Sequence, residues 1–334
     1  MVSRRRKLDE WRCTNGKRIV RTAYITHTAC QRHDTGPALP ECANRQYAIE
    51  DQFISTGLRD VLRYIDAPEV TAEQLLRVHT VEHVETVSAM IPDSGHARLD
   101  PDTVVSPDSL VAAYRAAGAA VAAVDLVVAG EMDSAFCAVR PPGHHAESNR
   151  AMGFCLFNNV AVGAAHALEV HGIGKLAILD FDVHQGNGTA SIFAGEPGVF
   201  TLSMHQERNY PHPKPPGDLD IGLSDGTGDE TYLALLADAL DQTLEVQRPE
   251  LAVYLAGADP FAEDQLGGLA LTLEGLEARD RMVLDECRSR GVAVAVVLAG
   301  GYARREQDTV RIHRRTAEIA REIWEGERRE SDRT

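Results

Sequence analysis

The sequence predicts an α/β fold built on a mostly parallel sheet, and two observations indicate it. Short apolar runs recur along the 334 residues with amphipathic stretches between them, which is the pattern of strands and covering helices in parallel α/β proteins. Several of these runs also lead straight into polar residues, where ligands bind in open parallel sheets. With no internal repeat or long linker, we expect one domain over 1–334, with a core of about 19–325 and loosely held ends.

Strands are predicted where aliphatic and β-branched residues cluster between turn residues. Six runs fit this description, and in chain order they are residues 18–26, 134–139, 176–182, 199–205, 251–257 and 292–300.

Helices are predicted in the amphipathic stretches 106–131, 158–172, 228–247 and 309–326. In the first, Ser106 and Pro107 have the order of an N-cap and a first-turn proline. The second begins at an asparagine cap and ends at Gly172. Residues 206–228, "QERNYPHPKPPGDLDIGLSDGTG", are rich in proline and glycine and predict a long loop.

Composition restricts the possible partners and the cellular location. A formal net charge of −16 argues against nucleic acid as a partner and favours cationic ligands such as lysine-bearing peptides or polyamines. The longest apolar stretches, such as 292–302, are expected to be too short to span a membrane. The six cysteines form no CxxC pair and predict free thiols. Together with a start that lacks the apolar core of a signal peptide, this predicts a cytoplasmic protein.

Polar side chains follow five of the predicted strands. They are His144 and His145, Asp182 and His184, His205, Asp259, and Tyr302. Because the carboxyl ends of parallel strands meet at one edge of a sheet, these residues predict a single active site.

The stretch "LAILDFDVHQGNGT" (176–189) ends a buried strand with Asp180, Asp182 and His184 at alternate positions, so their side chains share a face. Asp182, His184 and Asp259 form a plausible three-ligand set for a divalent metal, with positions left open for water and substrate. These ligands suit zinc and also manganese or iron(II). The alternative for the first two residues is a strand end capped by salt bridges.

Adjacent histidines occur in "RPPGHHAE" (140–147), where the prolines constrain the backbone. Each imidazole needs a partner on its second ring nitrogen, and Asp180 and Asn187 are the nearest unassigned candidates. An aspartate would raise the histidine pKa, whereas an asparagine would leave the pKa nearer neutrality, as a general base requires. The alternative is that one or both histidines are structural.

Tyr302 follows two glycines in "LAGGYAR". Its phenol could donate a hydrogen bond to a developing oxyanion opposite the metal. Taken alone, the residue is better explained as a packing residue.

Five motifs occur together in a fixed order: "RPPGHHAE", "GFCLFNN", "LDFDVHQGNGT", "GADPFAEDQLGGL" and "LAGGY". In this combination the chain resembles the zinc-dependent histone deacetylase family, whose superfamily includes acetylpolyamine amidohydrolases and acetoin-utilisation proteins. The resemblance runs from Thr26 to Ile323 and is closest to bacterial class IV- or class II-like members. It implies the arginase-like three-layer αβα fold with a mostly parallel sheet of about eight strands, in a single deacetylase-like catalytic domain.

The resemblance also implies roles for individual residues. Asp182, His184 and Asp259 look like the ligands of one Zn²⁺ per chain, with Fe²⁺ as an alternative. His144 resembles the histidine paired with a buried aspartate, here Asp180; His145 resembles the general base and acid, oriented by Asn187; and Tyr302 resembles the residue that polarises the scissile carbonyl. The implied substrate-binding residues are Asp102, Gly153, Phe154, Tyr210, Leu266 and Gly300. A structural K⁺ site is implied at Asp180, Asp182, His184, Ser203 and Met204.

The function so implied is hydrolysis of an acylated amine by metal-activated water, on N-ε-acyl-lysine in proteins or peptides carrying an acetyl or longer acyl group. Three alternatives remain at this stage. An acetylpolyamine amidohydrolase would use the same chemistry on a small cation. An arginase-type hydrolase would need two metals, and the tandem histidines with Asn187 argue against it. A non-catalytic acyl-lysine-binding protein would keep the site without turnover. Acyl length and oligomeric state are left open.

Overall fold

A computed structural model describes residues 13–14, 17–18 and 21–325 of the chain. The ends that the sequence predicts to be loosely held therefore lie outside the described residues, apart from two short strands. The strands are β1 (Cys13–Thr14), β2 (Lys17–Arg18), β3 (Thr22–Thr26), β4 (Arg63–Asp66), β5 (Ala97–Arg98), β6 (Val104–Val105), β7 (Ser134–Cys137), β8 (Leu176–Asp180), β9 (Val199–Gln206), β10 (Leu219–Leu223), β11 (Leu251–Ala256) and β12 (Ala293–Leu298).

Ten α-helices connect these strands in the described residues: α1 (Ala43–Ser55), α2 (Leu58–Val61), α3 (Ala72–Leu75), α4 (Val81–Ala89), α5 (Ser109–Val128), α6 (Asn159–His171), α7 (Asn187–Ile192), α8 (Asp229–Leu240), α9 (Leu273–Ser289) and α10 (Glu306–Glu325). A 3₁₀ turn covers Thr28–Gln31, and a π-helical turn, Asp241–Val246, extends α8.

The central sheet has eight strands in the order β10-β9-β8-β11-β12-β7-β3-β4. All seven pairings are parallel, which confirms the predicted α/β fold and strand number. All six predicted runs form strands of this sheet. The two strands that the sequence patterns missed, β4 and β10, lie at its edges.

The prediction that 206–228 is one long loop is wrong for β10, which covers residues 219–223. Among the residues that the structure describes, this edge strand pairs only with β9, and it alternates half-buried with exposed residues. Its apolar positions are therefore interrupted by Asp220 and Gly222, and the surrounding prolines and glycines hide the strand pattern.

The core consists of two apolar layers, one on each face of the sheet. Successive residues of a strand point to opposite faces, and in β8 Leu176 and Ile178 belong to one layer while Ala177 and Leu179 belong to the other. Helices α5 and α6 cover the first layer, and α1, α8, α9 and α10 cover the second. The molecule therefore has the three-layer αβα arrangement that the resemblance implies.

Helix α5 differs from the sequence predictions in two ways. It begins at Ser109 with Asp108 as its N-cap residue. The predicted cap at Ser106 is wrong because the Ser106 hydroxyl instead accepts the backbone N–H of Asp34. The helix is also, by length and composition, apolar enough to cross a membrane, with 61% of its most apolar window buried inside the protein. We expected every apolar stretch to be too short to span a membrane, and that expectation is wrong for α5. In this structure α5 packs as a core helix.

The order of the strands creates a crevice between β8 and β11. From β8 the chain continues to β9 and β10 on one side of the sheet, whereas from β11 it continues to β12 on the other side. The loops that follow β8 and β11 therefore diverge, and such a switch point is where open α/β sheets bind their ligands.

Candidate active site

Three predicted metal ligands meet at this crevice. Asp182 and His184 follow β8, and Asp259 follows β11. Nδ1 of His184 lies 3.0 Å from Oδ1 of Asp182 and 3.6 Å from Oδ2 of Asp259. One ligand atom from each side chain lies within 4.8 Å of the others, so the structure brings together the set that the spacing predicts.

The donor set fits a divalent cation. Oδ2 of Asp259 is buried and has no hydrogen-bond partner, which is costly for a carboxylate unless a cation compensates it. Burial disfavours the charged form of His184. The carboxylates of Asp182 and Asp259 outweigh burial, and they raise the pKa of His184 to about 10. Burial together with the charge of Asp182 raises the pKa of Asp259 to about 7. The site thus carries more negative charge than its own side chains neutralise, and zinc accepts these oxygen and nitrogen ligands.

A second group of possible ligands, Asp125, His166 and His171, is explained without a metal. Nε2 of His166 and Nε2 of His171 lie 2.8 Å and 2.6 Å from the same oxygen of Asp125. Arg77 donates to Nδ1 of His166 at 3.1 Å. Because a guanidinium only donates hydrogen bonds, Nδ1 of neutral His166 accepts and the ring proton is on Nε2. A metal would need the lone pair of that Nε2 atom. This group is a hydrogen-bonded network between α5 and α6.

The tandem histidines have the two partners that the sequence suggests. Nδ1 of His144 lies 2.9 Å from Oδ2 of Asp180, and Nδ1 of His145 lies 2.7 Å from Oδ1 of Asn187. Both imidazoles are buried, with rings 4.0 Å apart. Burial lowers the pKa of His144, but the carboxylates of Asp180 and Asp182 outweigh burial and raise it to about 9.

The pKa of His145 is lower than the sequence leads us to expect. Burial is the largest cause, and the neighbouring His144 and His184 add to it, so the pKa falls well below its ordinary value. Asn187 raises the pKa only partly, because an amide oxygen stabilises the imidazolium less than a carboxylate does. His145 is therefore neutral at physiological pH, with Nδ1–H donated to Asn187 and Nε2 free to accept a proton.

Tyr302 lies in the same cavity as the metal ligands. Asp264 accepts the backbone N–H of Tyr302 at 2.6 Å, and the Arg45 guanidinium lies 5.1 Å from its ring centroid. Burial raises the pKa of the phenol well above its ordinary value, so the hydroxyl keeps its proton and can act as a donor.

A cavity of about 230 Å³ opens above the metal ligands, and all six predicted substrate-binding residues line it. The ring of Tyr210 packs edge-on against His145 at 5.0 Å, and that of Phe154 against Tyr302 at 5.8 Å. The walls are therefore largely aromatic, with polar groups at the base. Pro142 and Asn209 also line the cavity, and neither was predicted as a site residue. Pro142 lies within "RPPGHHAE", and Asn209 lies within the stretch 206–228.

Asp102 shapes the wall of this cavity. Its carboxylate accepts the backbone N–H of Gly153 at 3.0 Å, while the hydroxyl of Thr103 accepts that of Phe154 at 3.2 Å. Gly153 and Phe154 both have positive φ, 58° and 66°. A methyl group at Gly153 would lie only 2.4 Å from Cδ2 of His145, so only glycine fits this position.

His205 does not join the site; the polar groups that follow β9 in the cavity are Asn209 and Tyr210 instead. His205 is buried, with Nδ1 2.9 Å from the hydroxyl of Ser203, and it does not line the cavity. Ser203 pairs with Asp180 across β8 and β9. The K⁺ site at Asp180, Asp182, His184, Ser203 and Met204 stays a prediction.

Buried charges behind the site were missed from sequence. Glu41 accepts from Nη2 of Arg140 at 2.6 Å and pairs with Arg45, and Arg45 in turn donates to the carbonyl of Ala299 at 2.8 Å. Arg140 begins the segment that carries the tandem histidines, and Ala299 begins the one that carries Tyr302. Glu41 therefore connects the segment of the tandem histidines with the segment of Tyr302.

Comparisons with known proteins agree with this geometry. A family model described as the histone deacetylase domain matches residues 39–316. A histone deacetylase-like amidohydrolase of Pseudomonas aeruginosa is 34% identical over 313 residues, covering 85% of this chain and 82% of that protein. A probable deacetylase of Archaeoglobus fulgidus is 32% identical over 298 residues, covering 84% of this chain and 81% of that protein.

Among solved structures, the crystal structure of the HDA15 HD domain superposes with a TM-score of 0.82 at 28% sequence identity, covering 90% of this chain and 88% of that one. The shared fold, the matching domain and the similarity to a deacetylase-like amidohydrolase over 85% of the chain lead to one assignment. The chain belongs to the histone deacetylase family and is a hydrolytic deacetylase.

Proposed function

We propose that the protein is a zinc-dependent amide hydrolase that removes an acyl group from the ε-amine of lysine in peptides or proteins. The observation that carries the proposal is the convergence of three side-chain types on one cavity. They are the carboxylate–histidine ligand set, a neutral buried histidine and a protonated tyrosine. Amide hydrolysis requires an electrophile, a base and an oxyanion donor within reach of one carbonyl.

The metal and the protein side chains have separate tasks in this proposal. A zinc ion held by Asp182, His184 and Asp259 would supply Lewis acidity and make a water molecule more acidic. Nε2 of His145 is free to take the proton of the attacking water and then to give it to the leaving amine. The hydroxyl of Tyr302 donates to the carbonyl oxygen as negative charge develops on it.

His144 has a different role from His145 in this mechanism. Despite burial, the carboxylate of Asp180 on its Nδ1 raises its pKa and favours the protonated form, which makes it a poor base at neutral pH. It contributes positive charge beside the developing negative charge instead. The different partners, Asp180 and Asn187, support this division of roles between adjacent histidines.

The cavity favours an extended aliphatic amine as substrate. Phe154, Tyr210 and Leu266 line it and provide apolar surface for the methylene groups of an acyl-lysine side chain. Asp102 also lines it and offers an acceptor to a backbone N–H or an ammonium group. Acetylated polyamine is the second candidate substrate, because the net charge of −16 favours small cations.

The substrate test compares kcat/KM of the zinc-loaded protein for an acetyl-lysine peptide, a myristoyl-lysine peptide and acetylated putrescine. The proposal expects one of the peptides to be turned over most efficiently. Preference for acetylated putrescine would replace the peptide assignment with that of an acetylpolyamine amidohydrolase. Zinc binding without turnover of any of the three would contradict the proposed reaction and favour an acyl-lysine-binding protein.

The remaining sequence predictions belong to this proposal as well. They are a structural K⁺ next to Asp180, iron(II) as an alternative metal, a single catalytic domain of about 19–325 and a cytoplasmic location. The eight-stranded sheet supports the single domain, because its strands come from residues 22 to 298.

A further inference from the structure

Glu147 contacts the amide that orients His145. Asn187 accepts from Nδ1 of His145 at 2.7 Å through its oxygen, and its Nδ2 donates to Oε1 of Glu147 at 3.0 Å. Asn187 is 1% exposed, so water cannot readily satisfy either end of its amide. The three side chains form a continuous chain from the cavity towards the surface.

The carboxylate of Glu147 determines which way round the amide lies. An ionised carboxylate only accepts hydrogen bonds, so the NH₂ group of Asn187 faces Glu147 and the oxygen faces His145. The other contacts of Nδ2, with the carbonyl of His145 at 3.5 Å and Sδ of Met152 at 3.4 Å, are longer and weaker. The reversed amide would set two acceptor oxygens 3.0 Å apart. It would also donate to Nδ1 of His145 and move the ring proton to Nε2, leaving no lone pair towards the cavity.

The backbone holds Glu147 in place for this contact. Its N–H donates to the carbonyl of Arg150 at 2.9 Å, and its own carbonyl is 3.0 Å from Nδ1 of His79. The side chain is 26% exposed, and its pairing with the guanidinium of Arg150 is loose, at 3.4 Å. Substitution at 147 therefore changes the contact with Asn187 without opening a cavity in the core.

The same rule accounts for the different partners of the two histidines. The second oxygen of Asp180 accepts the backbone N–H of Asp182 at 3.2 Å, so a carboxylate fits at position 180. At position 187 the atom that faces the carboxylate of Glu147 must donate a hydrogen bond. Nδ2 of an asparagine does so, and therefore an amide fits at this position. An aspartate at 187 would place two carboxylates in contact in a buried site.

We propose that Glu147 is a positioning residue that fixes the Asn187 amide and, through it, the Nδ1–H tautomer of His145. The inference rests on the proposed function, in which His145 is the base. It predicts that positions 147 and 187 are coupled, because a carboxylate at one position requires an amide at the other. Two carboxylates together should lower kcat.

The first test is a double-mutant cycle of N187D, E147Q and the double variant, with kcat measured at about pH 8, where isolated carboxyl groups are ionised. We expect N187D to lose kcat by about tenfold or more, and E147Q to stay near wild type because its amide oxygen still accepts from Asn187. In the double variant, the new amide at position 147 donates to the new carboxylate at position 187, and kcat recovers. Equal losses caused by N187D in the wild-type and E147Q backgrounds would overturn the proposal.

The second test reads the tautomer without activity. ¹⁵N–¹H correlation spectra of the histidine rings, assigned with H145A, should show His145 as the Nδ1–H tautomer in wild type and in the double variant. In E147A the tautomers should be mixed. An unchanged His145 tautomer in E147A would overturn the proposal. E245Q, which alters an exposed glutamate 59% accessible to solvent, is the matched control and should leave both readouts unchanged.

The two tests separate this inference from the proposed function. If wild type hydrolyses none of the acylated amines but E147A changes the His145 tautomer, the proposed reaction fails and the role of Glu147 stands. If wild type is active and the cycle shows no coupling, the role of Glu147 fails and the proposed reaction stands.

Discussion

The backbone N–H of Gly300 donates to Oδ2 of Asp182 at 2.7 Å. The segment after β12 therefore supports a proposed metal ligand that follows β8, two strands away in the sheet. A methyl group at Gly300 would lie 2.0 Å from Oδ2 of Asp259 and 2.6 Å from Oδ2 of Asp182. Because glycine has no side chain, the carboxylates of Asp182 and Asp259 can occupy this space.

Replacing Gly300 with alanine should therefore abolish metal binding. The new methyl group displaces two ligand oxygens at once, and we expect zinc content to fall from about one ion per chain to a small fraction of that. Metal analysis of purified G300A by mass spectrometry measures this. G228A is the control, since its nearest neighbour would be 3.8 Å away. Full zinc content in G300A would contradict the ligand assignment.

Removal of zinc should lower the thermal stability of the protein. Without the ion, the buried carboxylates of Asp182 and Asp259 lose their compensating charge. A ligand present at 10²–10³ times its Kd contributes about 3–4 kcal/mol, or a change in Tm of about 4–6 °C for a chain of this size. Calorimetry before and after chelation, and after zinc is restored, measures the shift.

Two variants show whether that shift comes from the proposed centre. D259N should show no response of Tm to zinc, whereas H171A, which alters the hydrogen-bonded network of Asp125, should respond like wild type. A zinc response that H171A loses and D259N keeps would move the metal site to the second group.

Replacing Tyr302 with phenylalanine should lower kcat and change KM little. The ring keeps its packing against Phe154, but the oxyanion loses a donor, which costs about 10²–10³ in kcat. Steady-state kinetics on the preferred substrate measures the loss. Y64F, at a partly exposed tyrosine of edge strand β4, is the control for loss of a phenol hydroxyl. Wild-type kcat in Y302F would exclude the oxyanion role.

Glu41 should make folding stability dependent on acid pH. Burial opposes the charge of Glu41, but Arg140 outweighs burial and lowers the pKa to about 2, from an ordinary value of 4.5. A carboxyl pKa that is depressed in the folded state stabilises the protein above the unfolded-state pKa. This contribution is lost as pH falls from about 4.5 to about 2.

E41Q measures that contribution by difference. At about pH 7 it should lower the free energy of unfolding by about 3–5 kcal/mol, because the buried guanidinium of Arg140 loses its counter-charge. Below about pH 4 the difference from wild type should shrink as Glu41 itself becomes protonated. Urea unfolding at several pH values tests this, with E245Q as an exposed control. A difference that is independent of pH would contradict an ionised Glu41.

The fold and the centre of the site were predictable because their signals are local. Asp182 and His184 lie two residues apart at a strand end, His144 and His145 are adjacent, and the six strongest apolar runs form strands. The resemblance added the substrate-binding residues, all of which line the cavity.

The supporting residues were not predictable because their contacts join distant parts of the chain. Glu41 and Arg140 are 99 residues apart, and Glu147 and Asn187 are 40 apart, so no short spacing indicates either pair. Edge strands β4 and β10 were missed for another reason. Each is exposed on part of its surface and lacks a continuous apolar run. The low pKa of His145 depends on burial, which its sequence neighbours do not reveal.

The central claim is that one zinc ion at Asp182, His184 and Asp259 supports hydrolysis. Stepwise addition of zinc to the metal-free protein, with turnover of the preferred acylated amine measured at each step, tests it most directly. The account predicts that activity rises in proportion to zinc and levels off at about one equivalent per chain. Activity that needs two equivalents, as in an arginase-type centre, or that does not depend on added metal would contradict it.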